Sequence, residues 1–380
     1  MRVLDKYVIK NFLIGYFIAA SVLIGMCVVI DLFVNLDEFA ELAEDLAERA
    51  EYAENATNIL LQNILSYYGA QSALYFRDFA GIIIVIAAVF SLGKMTRNNE
   101  LVAVMASGVS LKRVIAPIII LAILLTGLSI IDQEIVIPRL ARRLIHSHDS
   151  LPGEEVYELW FMNDSKGSLI CTKKFDEKTQ TIINPFIIIR RELEPGKWEV
   201  TAKITAESAI YNSSKKGWDL KNGQYSNFAP TSDSTAYKLQ SVSFYETDIT
   251  PLDIPMRLQE GYKSLLSSAQ LIALAKQRGT RLKDEAELYL QKHSRITDPV
   301  INIVMLMVAL PVLVCRDPKA MKSAIMVSFA LTSLCYMVTF ACKMSATEVF
   351  LNQIRPEFWA WVPVIIFLPI ALMELDSMKT

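Results

Sequence analysis

The stretch Arg97-Asn98-Asn99-Glu100-Leu101-Val102-Ala103-Val104-Met105-Ala106-Ser107-Gly108-Val109-Ser110-Leu111-Lys112-Arg113 lies between two long apolar runs, and its reading decides how the chain is organised. Leu101, Val104, Met105 and Gly108 recur at i, i+3, i+4 and i+7, so they share one face of a short amphipathic helix over 98–108. Asn98 or Asn99 can cap its start by accepting a hydrogen bond from an orphan N–H. Glu100 then falls in the first turn, where the helix dipole favours a carboxylate. Gly108 ends the helix, Ser110 caps the next one, and Lys112 and Arg113 mark a membrane boundary. Two readings of such a helix stand side by side. It docks a soluble partner, or Leu101, Val104 and Met105 rest on the membrane surface.

The flanking sequence places this helix in a membrane protein. The 380 residues are 53% hydrophobic with a mean hydropathy of +0.33, too apolar for a soluble domain, and the net charge of −2 gives nothing for nucleic acid to bind. The apolar residues fall in six blocks: Phe12 to Val34, Leu74 to Leu92, Val114 to Ile137, Ile296 to Val314, Ala324 to Cys342, and Phe358 to Met373. Each is close to the ~20 residues that cross a hydrocarbon core. The first is too long for a signal-peptide h-region and reads as a retained span. Asp37 to Asn55 is rich in acids but keeps an apolar stripe through Leu36, Phe39, Ala43, Leu46 and Ala50, which predicts an acidic amphipathic helix outside the membrane.

Basic residues orient the spans. Arg2, Lys6, Lys10, Lys94, Arg97, Lys112, Arg113, Arg316, Lys319 and Lys322 fall on one side, and the acidic segment falls on the other. The positive-inside rule therefore predicts cytoplasmic termini and an extracytoplasmic middle domain. That domain reads as β. Glu155 to Met162, Ser168 to Thr172, Ile182 to Arg190, Trp198 to Ile204, Ser208 to Tyr211 and Val242 to Asp248 are short runs rich in β-branched and aromatic residues. Turn signals at Asn163-Asp164, Glu194-Pro195-Gly196, Lys216-Gly217 and Asn222-Gly223 separate them, as in a sandwich or jelly roll. From Ser267 the period becomes helical, with a break at Gly279 and a helix from about Lys283 into the fourth span. The expected fold is thus a six-span (3+3) α-helical membrane protein with an inserted all-β, jelly-roll-like domain. Its parts are 1–137, 138–258 for the β domain, a helical connector over 259–295, and 296–380.

Chemistry is sparse. No glycine-rich stretch ends in Gly-Lys-Ser or Gly-Lys-Thr, so no P-loop is present. His146, His148 and His293 form no ligand set, the cysteines Cys27, Cys171, Cys315, Cys335 and Cys342 form no framework, and no serine sits in a nucleophile elbow. No enzyme, cofactor or metal is expected. Asp31, Asp132, Glu134 and Asp298, with the pair Arg77-Asp78, lie near the outer ends of spans, where polar groups are expensive and often functional. One reading makes them the rim of a lipid-binding cavity that meets head-group phosphates through divalent cations. The other makes them ordinary interfacial charge reaching water.

Several segments, taken in order, resemble the lipopolysaccharide-export permeases of the LptF/LptG (YjgP/YjgQ) family. Leu4-Asp5-Lys6-Tyr7-Val8 with Phe12-Leu13 is similar to the family's opening, and Gly93-Lys94-Met95-Thr96-Arg97-Asn98-Asn99-Glu100-Leu101-Val102-Ala103 with Ala106-Ser107-Gly108-Val109-Ser110 and Pro117 to its cytoplasmic coupling helix. His293, Arg295, Pro299, Leu310-Pro311, Tyr336, Trp361 and Pro363 follow its closing spans. The resemblance implies an inner-membrane half-transporter that pairs with a second six-span permease and docks on a dimer of a separate cytoplasmic ABC ATPase. Such a machine passes lipopolysaccharide through the β domain to a periplasmic bridge protein. Glu100 matches the family's carboxylate that enters a groove on the ATPase, with Arg97, Leu101, Val104, Met105 and Gly108 as its docking neighbours. The sequence departs from the family at the outer ends of the early spans. The family carries basic residues there, whereas this chain has Asp31 and the acidic 37–55 segment. Alternatives are a permease of another ABC-type export or lipoprotein-release system, and a membrane sensor or scaffold with a ligand-binding outer domain.

Overall fold

The computed structural model describes residues 3–48, 56–145, 156–194, 197–228, 239–258, 262–275, 282–314, 320–347 and 355–378. His146, His148, Gly279, Cys315, Arg316, Lys319, the Pro195-Gly196 turn and the 49–55 part of the acidic segment lie outside them. Helices α1 (Val3–Val34), α2 (Leu36–Glu48), α3 (Ala56–Arg97), α4 (Glu100–Ala106), α5 (Leu111–Ile131) and α6 (Ile137–Ile145) come first, with a π-helical turn over Asp132–Val136 joining the last two. Ten strands follow: β1 (Val156–Asn163), β2 (Leu169–Asp176), β3 (Thr181–Ile183), β4 (Phe186–Glu194), β5 (Lys197–Thr205), β6 (Ser208–Asn212), β7 (Gly217–Lys221), β8 (Gln224–Asn227), β9 (Leu239–Ser241) and β10 (Phe244–Glu246). The chain closes with α7 (Asp253–Leu258), α8 (Ser268–Ala275), α9 (Leu282–Leu313), α10 (Met321–Thr347) and α11 (Pro356–Ser377). Six helices are long and apolar enough to cross a membrane, and an antiparallel β region is inserted between the third and fourth. The expected fold class therefore holds.

Two compact units divide the chain: 1–34, 68–138 and 286–380 form one, and 35–67 with 139–285 form the other. In the first, the span helices close around Val8 and Phe12 of α1, Ile83, Ile84, Leu92 and Met95 of α3, Val114 and Ile118 of α5, and Leu306, Leu310 and Leu313 of α9. Small residues allow close helix approach: a Cβ on Gly81 of α3 would stand 2.5 Å from the Asn302 side chain of α9. Pro117, Pro299, Pro311, Pro363 and Pro369 all lie inside span helices, where neighbouring helices and local adjustments can satisfy the backbone groups they free.

The second unit is organised by β2, which pairs antiparallel with β1, β3 and β4. Leu169 to Cys171 face β4 and Lys174 to Asp176 face β3, so the sheet forks at the residues between. Buried Thr172 stands at the fork, donating its hydroxyl to the Ile183 carbonyl and accepting from the Lys174 N–H. One leaf runs β3-β6-β7-β10 and the other β4-β5-β8-β9. Ile182, Ala209 and Trp218 from the first leaf share a core with Ile187 and Ile204 from the second. The Ile182 to Arg190 run, expected as one strand, is two. Asn184 takes a left-handed conformation (φ 51°) just before Pro185, and the break turns the chain from one leaf into the other. Ser267 caps α8 as expected, in a reciprocal box: its N–H donates to Gln270 Oε1 and its Oγ accepts from the Gln270 N–H.

The loop between β1 and β2 is pinned by charge. Buried Asp164 accepts from the Ser168 and Lys166 N–H groups and, at 2.6 Å, from the Tyr245 hydroxyl; burial first, then this carboxylate, push the phenol above its ordinary range. Asp248 accepts from the Ser165 N–H at 2.7 Å and from Arg257 at 3.2 Å. Burial works against its charged form, but the Ser165 N–H and Arg257 outweigh it and hold the carboxyl below the usual range. Because the folded value is the lower one, this stabilisation is complete above the unfolded value, near 3.9, and is lost as pH falls through the folded value. Asp248→Asn should therefore destabilise the β unit by about 1.5–3 kcal/mol at neutral pH. The gap to wild type should vanish in strong acid, as read by thermal unfolding of the full chain in detergent.

Candidate functional site

Helix α4 is built by its two ends. Asn99 adopts the left-handed region (φ 57°) and its side chain makes no cap, so the expected asparagine cap is not what starts α4. Asn99 instead ends α3, its N–H donating to the Thr96 carbonyl, while its own carbonyl accepts the first α4 bond from Ala103. Asn98 turns its amide to Glu100 Oε1 at 3.0 Å. At the other end Gly108 sits at φ +79°, with its N–H on the Met105 carbonyl and the Val109 N–H on the Val104 carbonyl. That bond pair is a Schellman motif, and it requires the left-handed glycine.

The apolar face of α4 points inward. Leu101 is 0% exposed within the span core, and Val104, Met105 and Val109 pack against it. Leu101, expected among the docking neighbours, is an anchor to the bundle of its own chain. The outward face presents Arg97, Val102, Ala103, Ala106 and Gly108. Glu100 is half-buried: Oε2 is closed from solvent without a hydrogen bond, beside the Tyr7 phenol of α1. Around this end Lys94 donates to Asn11 of α1 at 3.0 Å, and Lys112 pairs with Asp376 of α11 at 3.1 Å.

At the far ends of the same spans the structure gathers most of the expected rim. Arg77 pairs with Asp78 at 2.7 Å and acts electrostatically on Asp132 and on Arg295. Glu134 and Asp298 also act on Arg295, and Asp298 pairs with Lys343 of α10 at 2.8 Å. Pro299 lacks the N–H that would bond the Arg295 carbonyl, so the helix ladder is already interrupted at this point. The π-helical turn begins at Asp132, which is 8% exposed with Oδ2 unsatisfied among the described residues. Asp31 stands elsewhere, acting on Tyr75 of α3. Thr297, Asp298, Thr339, Lys343, Trp359 and Pro363 line a small cleft between α9, α10 and α11. Neither Lys343 nor Arg295 was expected in the rim. A basic residue one step beyond the fifth apolar run, and another one step before the fourth, were the available signals.

No other chemistry emerges. Among the described residues no group of three His, Cys, Asp or Glu could hold a metal ion, and burial pushes the Cys171 thiol up, away from reactivity. A polytopic chain with three spans on each side of an inserted antiparallel β unit, and a short helix clasped between its second and third spans, has the form of a transport permease rather than an enzyme. The chain belongs to the lipopolysaccharide export system permease LptF/LptG family, which it matches over residues 6–375. It is therefore a multi-pass inner-membrane protein working in lipopolysaccharide export. No curated protein matches it.

Gly108→Val places a branched side chain at a left-handed position, at a cost of about 1–3 kcal/mol. Hydrogen exchange across 103–109 should accelerate while the α3 and α5 amides stay protected. Unchanged protection of α4 would show that Gly108 does not hold the helix end.

Proposed function

We propose that this chain is one half of an ATP-driven lipid exporter. It pairs with a second six-span permease and docks through α4 on a cytoplasmic ABC ATPase dimer, and its β unit passes lipopolysaccharide or a related glycolipid to a periplasmic bridge protein. The basic short loops support cytoplasmic termini and α4, with the β unit in the periplasm. The single observation that carries this reading is the seating of α4. A seven-residue helix has no stability of its own, yet Leu101 locks this one into the span core, which makes α4 a rigid continuation of α3 and α5. A push on its outward face is then a push on two spans.

Docking uses the outward residues Arg97, Val102, Ala103 and Ala106 together with Glu100. Glu100 gives up the Asn98 amide for an arginine across the interface, exchanging a bond from a neutral donor for one between two opposite charges. Val104 and Met105 set the angle of the helix from beneath. The charged rim at the opposite end meets the lipid head group. Glu100→Lys should abolish co-purification with the ATPase while the permease still folds. Retained assembly with unchanged lipid-coupled ATP hydrolysis would remove Glu100 from the interface.

A further inference from the structure

The rim offers almost no spare positive charge. Its cations are Arg77, Arg295 and Lys343; its carboxylates are Asp78, Asp132, Glu134 and Asp298. Arg77 is already bonded to Asp78 and Lys343 to Asp298, and Arg295 lies in the field of Glu134 and Asp298. Asp132 Oδ2 takes no hydrogen bond among the described residues, although the residue is more than nine-tenths buried and lies within the field of Arg77. A buried carboxylate without donors is costly, so its natural complement is a group that brings donors or positive charge. It sits at the first residue of a π-helical turn, a local irregularity that recurs at functional sites and whose adjustment can present the side chain.

We propose that this rim recognises a head group by positive charge that the head group itself carries, with Asp132 as the receiving carboxylate. A bare polyanionic phosphate finds its cations already engaged and an unmatched acid beside them. A phosphate capped with an ammonium-bearing substituent, or bridged by divalent cations, supplies positive charge to Asp132 and leaves the internal pairs intact. The proposal rests on the export reading above and specifies the lipid class that the rim accepts.

The test uses the permease complex purified from its native membranes and three probes. These are lipopolysaccharide with bare phosphates in chelator, the same lipid with magnesium, and lipopolysaccharide with amine-capped phosphates in chelator. Bare lipid in chelator should bind at least tenfold more weakly than one of the other two, and whichever of those binds tightly identifies the source of the charge. Asp132→Asn should shrink the gap to less than threefold. Lys343→Met, which releases Asp298, should widen it, so a loss of folding in one variant does not decide the outcome. Equal binding of all three probes overturns the proposal. Absence of lipid in every arm overturns the export reading instead.

Discussion

Leu101 is the contact on which the functional account depends. Burying one leucine gives about 1.5–3 kcal/mol, enough to keep a seven-residue segment helical where its own backbone bonds are not. It shares one core cluster with Leu92 and Met95 of α3 and Leu111 and Val114 of α5, the two helices that flank it in the chain. Close-packed interiors transmit displacement and do not absorb it, so force on α4 reaches both flanking spans. The terminal devices serve the same end. Asn99 closes α3 while opening α4, and Gly108 closes α4 two residues before α5, leaving no slack on either side.

The opposite end of the bundle has a different character. Charges from α3, the π-helical turn, α9 and α10 meet there in internal pairs. Such pairs at the edge of the hydrocarbon are tolerable because opposite charges lie close to one another, and Asp132 Oδ2 is buried there without a hydrogen bond among the described residues. The bundle thus has a tightly packed end at α4, where the proposed docking falls, and an end rich in internal ion pairs, where the proposed lipid contact falls. Pro299 within α9 and the π-helical turn after α5 both interrupt the helix ladders beside this charged cluster.

Much of this was legible in the sequence because the strongest signals are periodic. Apolar runs of span length and the i, i+3, i+4, i+7 repeat at Leu101 marked the spans and the short helix. Features set by single dihedral angles were not. Asn184 divides what reads as one strand, and Asn99 serves as a helix terminator where its side chain reads as a cap. Short strands such as β7, β8 and β9 escaped because three to five residues with few β-branched side chains carry little alternation to read. The amphipathic stripe of α4 was visible, but which surface it faces depends on tertiary packing. That packing puts Leu101 in the span core. The rim needed Arg295 and Lys343 brought together from separate helices, and the π-helical turn has no residue signature.

The most direct measurement of the central claim is site-specific photocrosslinking from single positions of α4 to the ATPase in intact membranes. Crosslinks from Val102 and Ala106, with none from Leu101, are the predicted result. Crosslinks from Leu101, or none from any α4 position in an assembled complex, would contradict an α4 that is anchored by one face and docked by the other.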